Sequence, residues 1–263
     1  MALAENASLQ LVLIGSGNVA WHFGHALKNA GIRIVQVISR SYESGQELAG
    51  ELGTISSTDF SLELPESDFI IVAVKDSVLV EVLQQMHLTE AIILHTSGSL
   101  GIDIFRADQK RCGVLYPFQT LTKGMHVDFD KIPMCIEASD NLSLARIKSL
   151  AGMISGNVQE LTTEQRRILH ISGVFLNNFT NHLIAQTVDF LNRNNLDKTL
   201  VMPLLEETIN KLKQTSPYDA QTGLARRNDF EVIHKHLEIL SVEPQLKKLY
   251  AMLTDSIIAY YSK

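Results

Sequence analysis

Gly15-Ser16-Gly17-Asn18-Val19-Ala20 directly follows the apolar run Leu9–Ile14 and opens a stretch with Val19, Ala20, Phe23, Ala26, Leu27 and Ala30 at helical spacing. A strand that passes into a helix through so few residues needs glycine at the first position for the tight turn. It needs a second glycine where backbone must approach a ligand, and a small residue, here Ala20, where helix packs on strand. The free N–H groups and positive dipole end of a helix beginning near Asn18 suit a pyrophosphate. This is the strand-turn-helix of a dinucleotide-binding domain, with Gly15, Ser16, Gly17, Asn18 and Val19 as the expected pyrophosphate residues; the bland reading is an accidental glycine turn.

Gly31 closes the first helix, and the β-branched run 32–38 reads as the second strand. Its end lies beside the adenosine ribose. An Asp or Glu there accepts from the 2′-hydroxyl and repels a 2′-phosphate. This chain has Ser39-Arg40-Ser41 instead, a guanidinium flanked by hydroxyls, which suits a phosphate dianion and favours NADPH over NADH. A solvated Arg40, or one paired with Glu43, is the competing reading.

A short helix is expected over 43–52 and a brief third strand over 53–55. The continuous apolar runs 69–74 and 91–96 read as parallel strands buried on both faces, separated by a helix over 77–85. Strand-helix alternation at this spacing predicts a right-handed, doubly wound parallel sheet, and ligands of such sheets bind beyond the carboxyl ends of the strands. That rule brings residues 15–19, 39–41, 74–76 and 95–99 to one cleft, with Val74, Lys75 and Thr96 on its cofactor side. Strands over 112–118, 132–136 and 157–161 and a helix over 142–154 extend the sheet.

From Thr162 the pattern is helical only, opened by the capping box Thr162-Thr163-Glu164-Gln165. One helix is expected to run to about Asn194, and Pro203 to bend or restart the next. A polar loop over 216–228 follows, then two more helices. The expected division is a dinucleotide-binding domain over 1–161 and an all-α domain over 162–263.

Four residues are candidates for the reacting substrate. His170 and Asn178, about two turns apart, can polarise a carbonyl or imine, or serve structurally. Ser97 either bonds substrate or nicotinamide, or forms an ordinary turn. Arg227, or Arg226 beside it, suits a carboxylate or phosphate, with Asn228 or Asp229 capping the helix that follows. Tyr116 and Phe118 are expected to shape the wall, with Gln119 as a substrate donor.

The net charge of −6 argues against a nucleic-acid backbone as partner. Cys112 and Cys135 lack metal-ligand spacing and fit free buried thiols in a reducing cytoplasm. No metal is expected. The opening residues 1–6 lack a basic start and a long apolar core, so no secretory signal is expected, and no apolar stretch is long enough to span a bilayer.

Through Gly15–Ala20, Ser39-Arg40-Ser41, His95-Thr96-Ser97-Gly98, Tyr116–Thr120, His170 to Phe179 and Thr222 to Asp229, nearly the whole chain resembles one bacterial family. That family joins a Rossmann-like domain to a helical domain of unknown function, DUF2520, related to the C-terminal domains of 6-phosphogluconate dehydrogenases. It often has His where Tyr116 stands, Pro where Leu224 stands and Gly where Asn228 stands. More distantly the arrangement is similar to pyrroline-5-carboxylate reductases and F420-dependent NADP oxidoreductases. The resemblance implies an NADP-binding oxidoreductase whose helical domain dimerises and closes the cleft. The expected activity is hydride transfer from NADPH to a small anionic carbonyl or imine. The alternatives are hydride exchange with a flavin-like carrier of F420 type and a non-catalytic NADPH sensor or partner-binding protein.

Overall fold

The computed structural model describes residues 9–60, 64–87 and 89–262; the opening segment read for a leader lies outside them. The chain packs as two compact units, Met1–Asn178 and Phe179–Lys263. This packing boundary falls later than the 161/162 division expected from the change in periodicity.

The first unit is built on β1 (Gln10–Ile14), β2 (Arg33–Ile38), β3 (Ile55–Ser57), β4 (Phe69–Val72), β5 (Ile92–His95), β6 (Cys112–Pro117), β7 (Met134–Ala138) and β8 (Val158–Glu160). Their order across the sheet is β3-β2-β1-β4-β5-β6-β7-β8. All neighbours pair parallel except β6 and β7, which are antiparallel. Side chains alternate across the sheet, so Leu11 and Leu13 enter one core while Val12 and Ile14 enter the other. The first core is covered by α1 (Asn18–Asn29), α2 (Tyr42–Leu52) and α4 (Asn141–Gly152), and the second by α3 (Asp76–Gln85). Burial on both faces is why these strands read as unbroken apolar runs. Each fully buried aliphatic side chain contributes roughly 1.5–3 kcal/mol.

Two local expectations shift. Gly53 is the left-handed cap of α2 at φ 73°, so the third strand begins at Ile55. The long helix expected from Thr162 to about Asn194 is regular over α5 (Thr163–Gly173) and again over Thr180–Arg193. Between them Val174–Phe179 winds as a π-helix, a local widening that the hydrophobic stripe does not encode. The capping box forms as read, with Thr162 Oγ1 accepting from Gln165 N and Gln165 Oε1 accepting from Thr162 N.

The second unit is helical, with α6 (Thr180–Arg193), α7 (Met202–Leu212), the short α8 (Pro217–Ala220), α9 (Phe230–Ile239) and α10 (Pro244–Tyr261). Pro203 lies in the first turn of α7, where its missing N–H costs nothing. Asn228 adopts φ 57° and Asp229 caps α9 by accepting from Val232 N. No helix among the described residues is long and apolar enough to cross a membrane.

Candidate functional site

The glycine turn has the geometry its residue types require. Gly15 sits at φ 114°, and a Cβ there would lie 2.2 Å from the Ala73 carbonyl oxygen, so only glycine fits between β1 and the end of β4. Its N–H donates to Ile38 O at 2.7 Å, tying the turn to β2. Gly17 is the N-cap of α1 and supplies no side-chain cap, and a Cβ on it would meet nothing within 4 Å. The orphan N–H groups of the first helical turn therefore open onto free space, as a pyrophosphate needs. Ala20, fully buried, is the close-packing position. Asn18 turns its side chain aside, Oδ1 accepting from Lys123 N at 3.1 Å. Val74, half-buried, packs over Gly15, and Lys75 is exposed at the start of α3. These residues fit a nicotinamide dinucleotide.

At the end of β2 the three expected phosphate residues separate. Ser39 is buried, its hydroxyl sharing a 2.7 Å hydrogen bond with Ser16 Oγ, which also donates to Ser44 Oγ at 3.0 Å. Ser39 therefore supports the glycine turn from beneath, because Gly45 of α2 packs against its Cβ. Arg40 and Ser41 remain exposed, and Ser41 caps α2 by accepting from Ser44 N. Arg40 thus stands at a helix N-terminus, where the guanidinium and the helix dipole are two neighbouring sources of positive potential.

The loop after β5 is held by a buried imidazole. His95 Nδ1 accepts from Ser97 N at 3.2 Å, which leaves Nε2 protonated to donate to Gly101 O at 3.2 Å. Phe105 stacks on the ring at 5.5 Å. Burial pushes its pKa down to about 4, with Arg166 lowering it further and the Gly101 bond, Asp76 and Glu137 opposing. The Ser97 side chain accepts from Ser99 N and Leu100 N at 3.1 and 3.0 Å and is 5% exposed. Of its two readings the turn is the one the structure favours: its oxygen is spent on the loop backbone. Thr96 is half-buried beside it, and Ser99 Oγ donates to Asp76 across to α3.

Beyond β6, Tyr116 and His170 meet. The phenol oxygen lies 3.0 Å from His170 Nδ1, with the rings edge to face at 6.0 Å. Gly98 makes this approach possible, since a Cβ there would come within 2.6 Å of His170 Nδ1 and 2.7 Å of Tyr116 Cζ. The pair lines a cavity of about 350 Å³ whose wall also includes Phe118, Gln119, Asn177 and Asn178. His170 and Asn178 both line this cavity. Burial, then Cys135 and Asp76, push the Tyr116 phenol up to about 12 against a lowering by Arg166.

His170 is positioned by a residue one turn earlier. Arg166 is completely buried, paired with Glu137 at the end of β7, and Nη2 donates to Leu100 O at 2.6 Å. Thr163 donates its N–H and Oγ1–H to the same carboxylate, at 3.1 Å and at 3.0 and 2.8 Å. Arg167 Nε donates to Ser99 O at 2.8 Å. Residues four apart on a helix share a face, so pinning Arg166 to the β5 loop and β7 sets His170 over Gly98. Sequence reasoning missed Arg166, Glu137, the bracing bonds of His95 and the contact of Tyr116 with His170. Nothing in the sequence marked Arg166, whose helical neighbours Thr162, Thr163, Leu169 and His170 are mostly polar, so its burial with a partner comes from tertiary contacts alone.

In the second unit Arg226 lies over the Tyr218 and Tyr261 rings at 5.7 and 4.5 Å, and Nη1 donates to Tyr261 O. Arg227 is exposed.

Residues 10–97 match the family described as NADP oxidoreductase, coenzyme F420-dependent, and residues 132–257 match the domain of unknown function DUF2520. A Bacteroides fragilis protein provisionally named an NADP oxidoreductase is 38% identical, with 97% of this chain and 99% of that one covered at a TM-score of 0.89. A Thermotoga maritima protein is 22% identical over 96% of this chain and all of the other, at 0.71. A 1-pyrroline-5-carboxylate reductase from Streptococcus pyogenes shares the fold at 14% identity and 0.61, covering 95% of this chain and 98% of its own. No curated protein matches.

Proposed function

The chain belongs to the family of NADP oxidoreductases in which a Rossmann-like domain is joined to DUF2520, and from that membership we propose that it is an NADPH-dependent reductase of small anionic carbonyl or imine compounds. When bound, the dihydronicotinamide supplies the hydride. Gly15, Gly17, Asn18 and Val19 frame the pyrophosphate position, Arg40 and Ser41 take the 2′-phosphate, and Val74, Lys75 and Thr96 border the nicotinamide side. His170 and Asn178 face the substrate, and Arg227 is an exposed guanidinium suited to an anion.

The observation that carries the NADPH preference is Arg40, exposed beside the capped start of α2, with Ser39 rather than a carboxylate directly after β2; the Glu43 carboxylate in the first turn of α2 accepts from Ser41 Oγ at 3.3 Å. Calorimetric titration tests it. NADPH is expected to bind more tightly than NADH, and Arg40→Ala to weaken NADPH by about 10- to 100-fold, the equivalent of ~1.5–3 kcal/mol for a charge-assisted contact, leaving NADH unchanged. Equal affinities in the wild type would remove the preference. Binding of neither nucleotide would remove the reductase reading.

The working assembly we propose is a homodimer. α6 and α7 have no buried side chain in the single chain, and Leu200 and Leu204 are 67% and 70% exposed. Ile168 and Leu176 of the first unit are equally open, at 67% and 74%. So much exposed apolar surface marks an association site. Light scattering is expected to return twice the 29.3 kDa chain mass, and a monomer would contradict it.

A further inference from the structure

We propose that Tyr116 is the proton donor of the reduction and that His170 holds and recharges it. The inference rests on the reductase reading and departs from the sequence expectation, in which His170 polarises the substrate and Tyr116 shapes the wall.

Three observations carry it. Tyr116 ends β6 on the carboxyl edge of the sheet, next to the Thr96–Gly98 loop, where ligands of such sheets sit. The phenol and the imidazole both line the cavity, and His170 Nδ1 is committed to Tyr116 Oη at 3.0 Å. The backbone is shaped for this contact, since any side chain at position 98 would collide with both rings.

Hydride from the dihydronicotinamide forms the new C–H bond at the substrate carbon while the carbonyl or imine π bond opens. The Tyr116 O–H bond breaks and its proton goes to the substrate oxygen or nitrogen. The phenolate regains a proton from His170 Nδ1 as Nε2 takes one from water. This order requires Nδ1–H to donate to the phenol oxygen, leaving the phenol hydrogen turned to the cavity.

Tyr116→Phe keeps the ring and removes only the hydroxyl. Calorimetry is expected to show NADPH bound as by the wild type, confirming an intact fold and cofactor site. In a panel of 2-oxo acids, aldehydes and cyclic imines followed by NADPH oxidation, kcat is expected to fall by about a hundredfold or more with KM little changed. The solvent deuterium isotope effect of the wild type should also be lost. ¹⁵N NMR of the wild type should find His170 protonated at Nδ1, a readout independent of turnover. A wild type that turns over with an equally active Tyr116→Phe variant overturns the donor role and leaves the reductase reading standing. So does a His170 ring protonated at Nε2 alone, which would tie the phenol proton to the imidazole. A wild type that binds NADPH yet reduces nothing in the panel overturns the reductase reading, and the donor with it.

Discussion

Glu137→Ala is expected to cost the sheet-bearing unit about 3–5 kcal/mol, because it strands a guanidinium that has no access to water. Arg166 is 0% exposed, and its Nε already lacks a hydrogen-bond partner within the described residues. Without the carboxylate, Nη1 loses its acceptor, Thr163 loses the bonds that seat the first turn of α5, and only Leu100 O and Thr163 Oγ1 still face the charge. Urea unfolding followed through Trp21, the single tryptophan and a residue of α1, reports this unit directly. The midpoint should fall steeply with the slope unchanged. The double variant Arg166→Met with Glu137→Leu should recover most of the loss, since two apolar side chains replace a pair whose desolvation offsets much of its attraction. A loss under about 1 kcal/mol in Glu137→Ala would show that the guanidinium finds another partner or solvent, and that α5 is not pinned in this way.

His95 is expected to make the protein lose stability on mild acidification. Its pKa falls from 6.5 to about 4 on folding, so the unfolded chain takes up a proton there that the folded chain refuses. Stability is then unaffected above about pH 6.5, declines as pH falls through the window from 6.5 to 4, and levels off below, a total of about 3 kcal/mol. Carboxylates with depressed pKa values, such as Asp140, act only lower, as pH falls below 3.8, so the two windows separate. Unfolding free energies between pH 4 and 7 for the wild type and His95→Gln test this. The variant should be less stable at neutral pH, having lost the bonds to Ser97 N and Gly101 O, but its slope across the window should be shallower by one proton. Parallel slopes would mean that His95 is protonated equally in both states.

The two predictions concern the same few residues because the β5 loop is the junction of the unit. His95 holds it from below and Arg166 and Arg167 from above, and Gly98 sits beneath the Tyr116–His170 contact. None of this was legible in the sequence. The partners lie 29 residues apart for Arg166 and Glu137 and 54 for Tyr116 and His170, and no periodic pattern links residues on different elements. The sequence left Ser39 and Ser97 open for a related reason: a hydroxyl in a loop is read equally well as a ligand or as a brace, and burial is what distinguishes the two.

What the chain determined by itself was whatever depends on neighbours in sequence. Glycine at 15 follows from a turn that a Cβ would block, the apolar runs at 69–74 and 91–96 from strands covered on both faces, and the capping box at 162–165 from local hydrogen bonding. Those local constraints suffice for the fold class and the glycine turn. What only the tertiary structure decided was which polar groups face open space and which are spent on one another. Desolvation and hydrogen-bond pairing are set by contacts between distant segments, so Arg40 and Ser39, adjacent in the chain, end as an exposed cation and a buried brace.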